Sequence, residues 1–231
     1  MNLAVLLSFY DEHPDDLSRL AASLTGLADQ IIALDGAYAL MPDPQPHSPP
    51  ESTQALKDAA SKAGITLHLH APDQPWQGNE IQKRDRLFHL ARQHNADWTL
   101  ILDADEHITS TPAQARTARN ILQATRLDVA AIHAAGIHPD GPARQAGLTY
   151  NGPLRRIFRS LPALHCIDTH WRYTDIQTGR DLLGPQSDNT PALDLASLIA
   201  YAHTPRADPA RTKRAWDYYD QRAKHQIEGV V

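Results

Sequence analysis

Two rhythms of apolar spacing alternate along the first half of the chain. Residues 3–7 form an unbroken apolar run closed by polar Ser8, which suits a strand buried on both faces of a parallel sheet. Pro14 then opens a segment in which Leu17, Leu20, Ala21, Leu24 and Ala28 share one helical face, with Gly26 as its stop. The alternation repeats. A run at 31–34 is followed by a helical face of Ala55, Leu56, Ala59, Ala60 and Ala63 ended by Gly64, and then by a run at 65–69. Asn79 and Gln82 are spaced as a capping box for a helix reaching about Gln93, and residues 98–102 are the most apolar strand in the chain. Thr111 and Pro112 start a further helix through Ile121, Leu122 and Thr125, and a strand is expected at 129–132.

Strands separated by helices pair in parallel through right-handed crossovers, so residues 1–125 predict a doubly wound, Rossmann-like α/β sheet that binds ligands beyond its strands' carboxyl ends. The rest, residues 126–231, breaks the rhythm. Strand-like pieces at 154–158 and 169–174, a hairpin near Gly179 and a last helix opened by Asp208 and Pro209 predict a smaller acceptor-side region continuous with the first half. Between Gly36 and Pro50 lie five prolines and no periodicity, the pattern of a long surface loop that is mobile or ordered by ligand.

Length allows one domain at 231 residues, and a formal charge of -5 argues against a protein that works by general phosphate neutralisation. The lone Cys166 excludes an intramolecular disulfide and points to a reducing compartment and a buried, inert thiol. No apolar run approaches the roughly 20 residues of a membrane span, and the N-terminus lacks a basic leader, so a cytoplasmic protein is expected. One local basic patch stands out: Arg206, Arg211, Lys213, Arg214, Arg222 and Lys224 flank a stripe of Trp216, Tyr219 and Ala223.

The chemistry concentrates where the most apolar strand ends. In an extended chain, side chains two apart share a face, so Asp103 and Asp105 are expected to project together, with Glu106 beside them. Like charges crowded in a small space require something positive between them, and a hard divalent cation, Mn2+ or Mg2+, carrying a bound diphosphate is the natural occupant. Such a cation neutralises the charge on a departing nucleoside diphosphate. A solvated acidic turn is the plain alternative. On the helix from Asn79, Arg84 falls against the apolar stripe of Ile81, Phe88 and Ala91, so its charge needs a partner; an ion pair to Asp35 or Asp103 is one solution. Most of the thirteen histidines, His68 and His70 among them, are expected to be surface or satisfied core groups.

Three segments together carry a resemblance: Ser8-Phe9-Tyr10-Asp11-Glu12, Leu34-Asp35-Gly36-Ala37-Tyr38 and Leu100-Ile101-Leu102-Asp103-Ala104-Asp105-Glu106, each at a strand's carboxyl end. The chain resembles the family-2 glycosyltransferases of the GT-A fold, clearly over residues 1–125 and loosely beyond. The resemblance implies a mostly parallel sheet flanked by helices, a nucleotide-sugar donor carrying UDP by family habit, and a metal at Asp103 and Asp105. It sets Ser8 and Tyr10 against base and ribose and Asp35 on the base, where a carboxylate can accept the imide N–H of uracil. Without it, Asp35-Gly36 reads as a turn. It also implies that Lys83 and Arg84 meet diphosphate or nucleoside oxygens and that the late His203 joins the metal or diphosphate.

An inverting transfer needs a proton acceptor from the second half, and Asp168 and His170, two apart in His165-Cys166-Ile167-Asp168-Thr169-His170-Trp171, are the candidates. The Glu-Asp pair common in inverting members has no clear counterpart here. The acceptor, whether glycan, lipid, protein or nucleic acid, is not specified by the sequence, and a homo-oligomer is compatible with it. The rival readings are a nucleotidyltransferase, which lacks here its usual Gly-rich basic loop after the first strand, and a non-catalytic sugar-nucleotide-binding module. A haloacid-dehalogenase-type phosphatase fits least, because His107 stands where that pattern wants Thr or Val.

Overall fold

A computed structural model describes residues 1–137, 150–168, 171–204, 213, 217 and 218. The expected alternation forms. Strands β1 (Leu3–Ser8), β2 (Gln30–Leu34), β3 (Thr66–His70) and β4 (Trp98–Ile101) lie parallel in the order β3-β2-β1-β4, with Val5 paired to Ile31 on one side and Leu100 on the other. The helices are α1 (Pro14–Ser23), α2 (Pro50–Lys62), α3 (Glu80–Gln93) and α4 (Pro112–Ala124).

The unbroken apolar run of β1 has a direct cause. Leu3, Val5 and Leu7 face a core built with Leu17 and Leu20 of α1, Leu56 of α2 and Leu122 of α4. Ala4 and Leu6 face a second core holding Leu87, Phe88 and Ala91 of α3. Both sides of the strand are dry, so polar alternation is excluded, and each fully buried leucine contributes roughly 1.5–3 kcal/mol. Helix α3 starts where Asn79 accepts from the Gln82 N–H at 3.1 Å and Gln82 accepts from the Asn79 N–H at 2.9 Å, the capping box its spacing predicts. Thr111 and Gln114 build a second box at the start of α4.

Beyond β4 the sheet changes character. It continues through β7 (Tyr150–Arg159) and β6 (Val129–Ile137), each antiparallel to the strand before it, then β12 (Ala200–His203) parallel to β6, and ends at β5 (Glu106–Ile108), antiparallel to β12. The short β11 (Leu193–Asp194) also pairs with β6. Strands β8 (Leu164–Cys166), β9 (Tyr173–Asp175) and β10 (Arg180–Leu183) form a separate antiparallel sheet, with the expected hairpin turning at Gly179. Tyr173 of this sheet meets Phe88 and Phe158 edge-on, at 5.3 and 5.1 Å between ring centroids, which fixes the small sheet on the α3 face.

The short strands of the second half depart from expectation, β8, β11 and β12 among them having no counterpart in the sequence reading. The strand expected at 169–174 is the short β9, and β5 was not foreseen because three residues are too few to show a period. The final helix opened by Asp208 and Pro209, and the basic patch except Lys213, lie outside the described residues. Among the described residues no helix is long and apolar enough to cross a membrane.

Candidate functional site

The site grows from the carboxyl ends of β1, β2 and β4. After β4 the chain does not stay extended. It turns at Asp103-Ala104-Asp105, held by the Glu106 N–H on the Asp103 carbonyl at 2.9 Å and by the Asp103 N–H on the Glu106 carboxylate at 2.8 Å. The two acids therefore face different partners. Asp103, with 35% of its side chain exposed, accepts from Arg84 Nη2 at 2.7 Å. Asp105 is buried and its Oδ2 lies 2.9 Å from His203 Nε2 at the end of β12. The Asp105 carbonyl accepts from the Thr204 N–H at 2.7 Å, which fastens the end of β12 to the turn.

Arg84 resolves the charge placed against an apolar stripe: it is buried between Asp103 and Glu80, the latter at 3.3 Å. Burial works against its charge, and Asp103 overcomes that, holding the guanidinium well above its ordinary range. The neighbouring Lys83 does something different. It is also buried, and its Nζ donates to the Phe9 carbonyl at 3.2 Å and the Gly36 carbonyl at 2.7 Å, tying the segment after β1 to the segment after β2. Burial pulls its ammonium down to about 8 against the opposing attraction of Asp35.

Asp35 is fully buried. Its Oδ1 accepts from the Gly36 N–H at 2.6 Å and the Ser48 hydroxyl at 2.5 Å, and its Oδ2 from the Ser48 N–H at 2.9 Å. The carboxylate thus anchors the Pro-rich loop, which is tied down without a ligand. Gly36 permits this: at φ 113° with an added Cβ only 2.7 Å from the Pro46 carbonyl, no other residue fits. Tyr10 accepts from the Gln45 N–H at 3.3 Å and, with Asp11 and the loop residues Pro42 to Pro50, lines a cleft of about 640 Å³. Ser8 closes β1 beside it.

Arg156 was not singled out by sequence. It lies in β7, 4% exposed, with Nη2 donating to Glu106 Oε1 at 2.8 Å and Nε to the Tyr201 hydroxyl at 3.2 Å. Two adjacent arginines inside the apolar run 154–158 were the available signal, since in a strand one of the two must face inward. Burial pushes the Glu106 carboxyl up toward 7 although Arg156 pulls it down.

Asp168 sits between β8 and β9 at φ 61° with 64% of its side chain exposed, in an ion pair with Arg172, which also reaches Asp181 at 3.3 Å. That left-handed backbone breaks the strand alternation expected there. Its partner candidate, His170, lies outside the described residues. Cys166 is buried, which pushes its thiol up to about 12, so it is inert as expected. His68 and His70 cluster with His94 on the sheet edge, His68 stacked at 3.7 Å.

Among the described residues no group of three or more His, Cys, Asp and Glu stands close enough to hold a metal alone. The juxtaposed oxygen and nitrogen of Asp105 and His203 suit a divalent cation that draws its remaining ligands from a diphosphate and water.

No family model matches the sequence, and no curated protein is similar to it. Solved structures are. Staphylococcus aureus TarS aligns over 96% of this chain with a TM-score of 0.52 and 13% identity, the chain spanning 38% of the length of TarS. The fold is therefore of the GT-A type, a mixed sheet flanked by helices. Glucosyl-3-phosphoglycerate synthase from Mycobacterium tuberculosis, solved with Mn2+ and UDP, aligns over 94% of this chain and 76% of its own at 12% identity and a TM-score of 0.47. CMP:2-keto-3-deoxy-manno-octonic acid synthetase complexed with CTP aligns over 69% of this chain and 75% of its own, at 11% identity and a TM-score of 0.38. Both scores are too low to bear on the fold.

Proposed function

We propose that the chain is a metal-dependent glycosyltransferase that moves a sugar from a nucleotide-diphosphate sugar, with UDP as the nucleotide, to an acceptor hydroxyl. The supporting observation is the meeting of Asp105 with His203 across 98 residues at the carboxyl end of the parallel strands, the rim where such sheets bind nucleotides. Asp105 and His203 would hold Mn2+ or Mg2+, with Asp103 beside them. The cation supplies positive charge to the departing diphosphate.

The chain's own residues do the rest. Arg84, held on Asp103, keeps a guanidinium at the rim where phosphate oxygens arrive. Lys83 fixes the two segments that carry Ser8, Tyr10 and Asp35, the nucleoside side of the site. Asp168 and His170 stand as proton acceptors for the incoming hydroxyl.

Thermal unfolding with UDP and Mn2+ tests this reading. A ligand at a hundredfold excess over Kd adds about 2.7 kcal/mol to stability, and Asp105→Ala should abolish the shift. Release of UDP from a UDP-sugar marks a glycosyltransferase, whereas release of pyrophosphate marks a nucleotidyltransferase. A wild-type protein whose melting is indifferent to UDP and Mn2+ would falsify the proposal.

A further inference from the structure

Arg156 is left with an incomplete set of hydrogen bonds. Nη2 and Nε are engaged by Glu106 and Tyr201, while Nη1 is buried and has no hydrogen-bond partner. A buried donor of this kind costs about 1–3 kcal/mol until something accepts from it. Above the guanidinium lies the indole of Trp171, 4.9 Å from Arg156 Cζ to the ring centroid. Trp171 is 41% exposed, and among the described residues Ile176 is the other large hydrophobic left so open. Two hydrogen bonds connect this pair to the acidic turn: Arg156 to Glu106, and Glu106 to the Asp103 N–H.

Resting on the glycosyltransferase reading, we propose that Trp171 and Arg156 form the acceptor subsite and that the acceptor is a neutral saccharide. A pyranose offers a C–H face that packs on an indole and an edge of hydroxyls that accept from a guanidinium N–H. Charge points the same way. Among the described residues of this rim, three acids, Asp103, Asp105 and Glu106, stand beside two arginines, Arg84 and Arg156, each already paired with one of them, a balance that favours a neutral acceptor over a phosphate-rich one. A plain alkyl chain would cover the indole and leave Nη1 unsatisfied. Nη1 is buried, so an acceptor hydroxyl reaches it only where the indole gives way.

The test is an array of neutral gluco-, galacto- and N-acetylglucosamine oligosaccharides beside sulfated and phosphorylated ones, probed with wild-type protein, Trp171→Ala, Arg156→Lys and Ile176→Ala, with the UDP and Mn2+ thermal shift measured on each. Wild type and Ile176→Ala should bind the same neutral glycans. Trp171→Ala should bind them about tenfold more weakly, a loss the size of one aromatic contact, with its UDP shift intact. Arg156→Lys, if folded, should lose them as well. Wild type that retains no neutral glycan, that retains acidic ones alone, or that binds no more tightly than Trp171→Ala overturns the subsite. A missing UDP shift beside intact, Trp171-dependent glycan binding overturns the donor reading instead and leaves a saccharide-binding site.

Discussion

The parallel and mixed halves of the sheet deliver their chemistry by different rules. In β1, β2 and β4 the candidate groups lie at or just after the last residue of a strand, because parallel strands bring every carboxyl end to one rim. In the mixed half, Glu106 begins β5, Arg156 lies within β7, and His203 ends β12. Antiparallel reversal lets the start, middle and end of different strands converge on one point. The first half can be read by looking past apolar runs, whereas the second requires knowing which strands are neighbours.

Cutting the two buried arginine pairs should give the largest effects and the sharpest contrast. Arg156→Ala leaves Glu106 buried without its counter-charge and should cost about 3–5 kcal/mol in urea unfolding. Arg84→Ala should cost clearly less, since Asp103 keeps 35% of its side chain in solvent. Equal losses would erase the distinction between a closed mixed half and an open parallel rim.

Lys83 gives the next effect. Its folded value of about 8 lies below its ordinary 10.5, so between those limits the unfolded chain binds more protons and the group's contribution to stability rises with pH. The rise amounts to roughly 3 kcal/mol over that window. Lys83→Met should remove this slope from stability curves measured from pH 7.5 to 10.5. A mutant curve that keeps the wild-type slope would show that the lysine is solvated and that the two segments are not clamped as described.

Ser48→Ala comes third. It deprives buried Asp35 of one of its three donors and should cost about 1–2 kcal/mol, seen as faster proteolysis within residues 36–50. Thr111→Ala, removing the cap of α4, should cost about 1 kcal/mol and leave the UDP shift unchanged. A changed shift would tie α4 to the site.

Much of the architecture was legible because its determinants are local. The capping box at Asn79, the face of Leu17, Leu20 and Ala21, and the run before Asp103 all state their element within a dozen residues. The acids of the turn and the partnered Arg84 were legible for the same reason, each interrupting an apolar pattern, whereas the late His203 was expected from the family resemblance. Arg156 was not, because its partner lies 50 residues away on a strand of three residues. The anchoring of the Pro-rich loop was hidden too, since nothing in the spacing of Asp35 and Ser48 announces that one caps the other.

The sequence by itself determined where the strands and helices of the first half fall, that this half of the sheet is parallel with β1, β2 and β4 dry on both faces, and which acidic segment ends its central strand. Periodicity carries that information, and it survives without neighbours. Only the tertiary structure decided that the chain turns after Leu102, sending Asp103 to Arg84 and Asp105 to His203, and that Glu106 closes on Arg156. Strand order and register set those meetings, and both arise from packing among segments far apart in the chain.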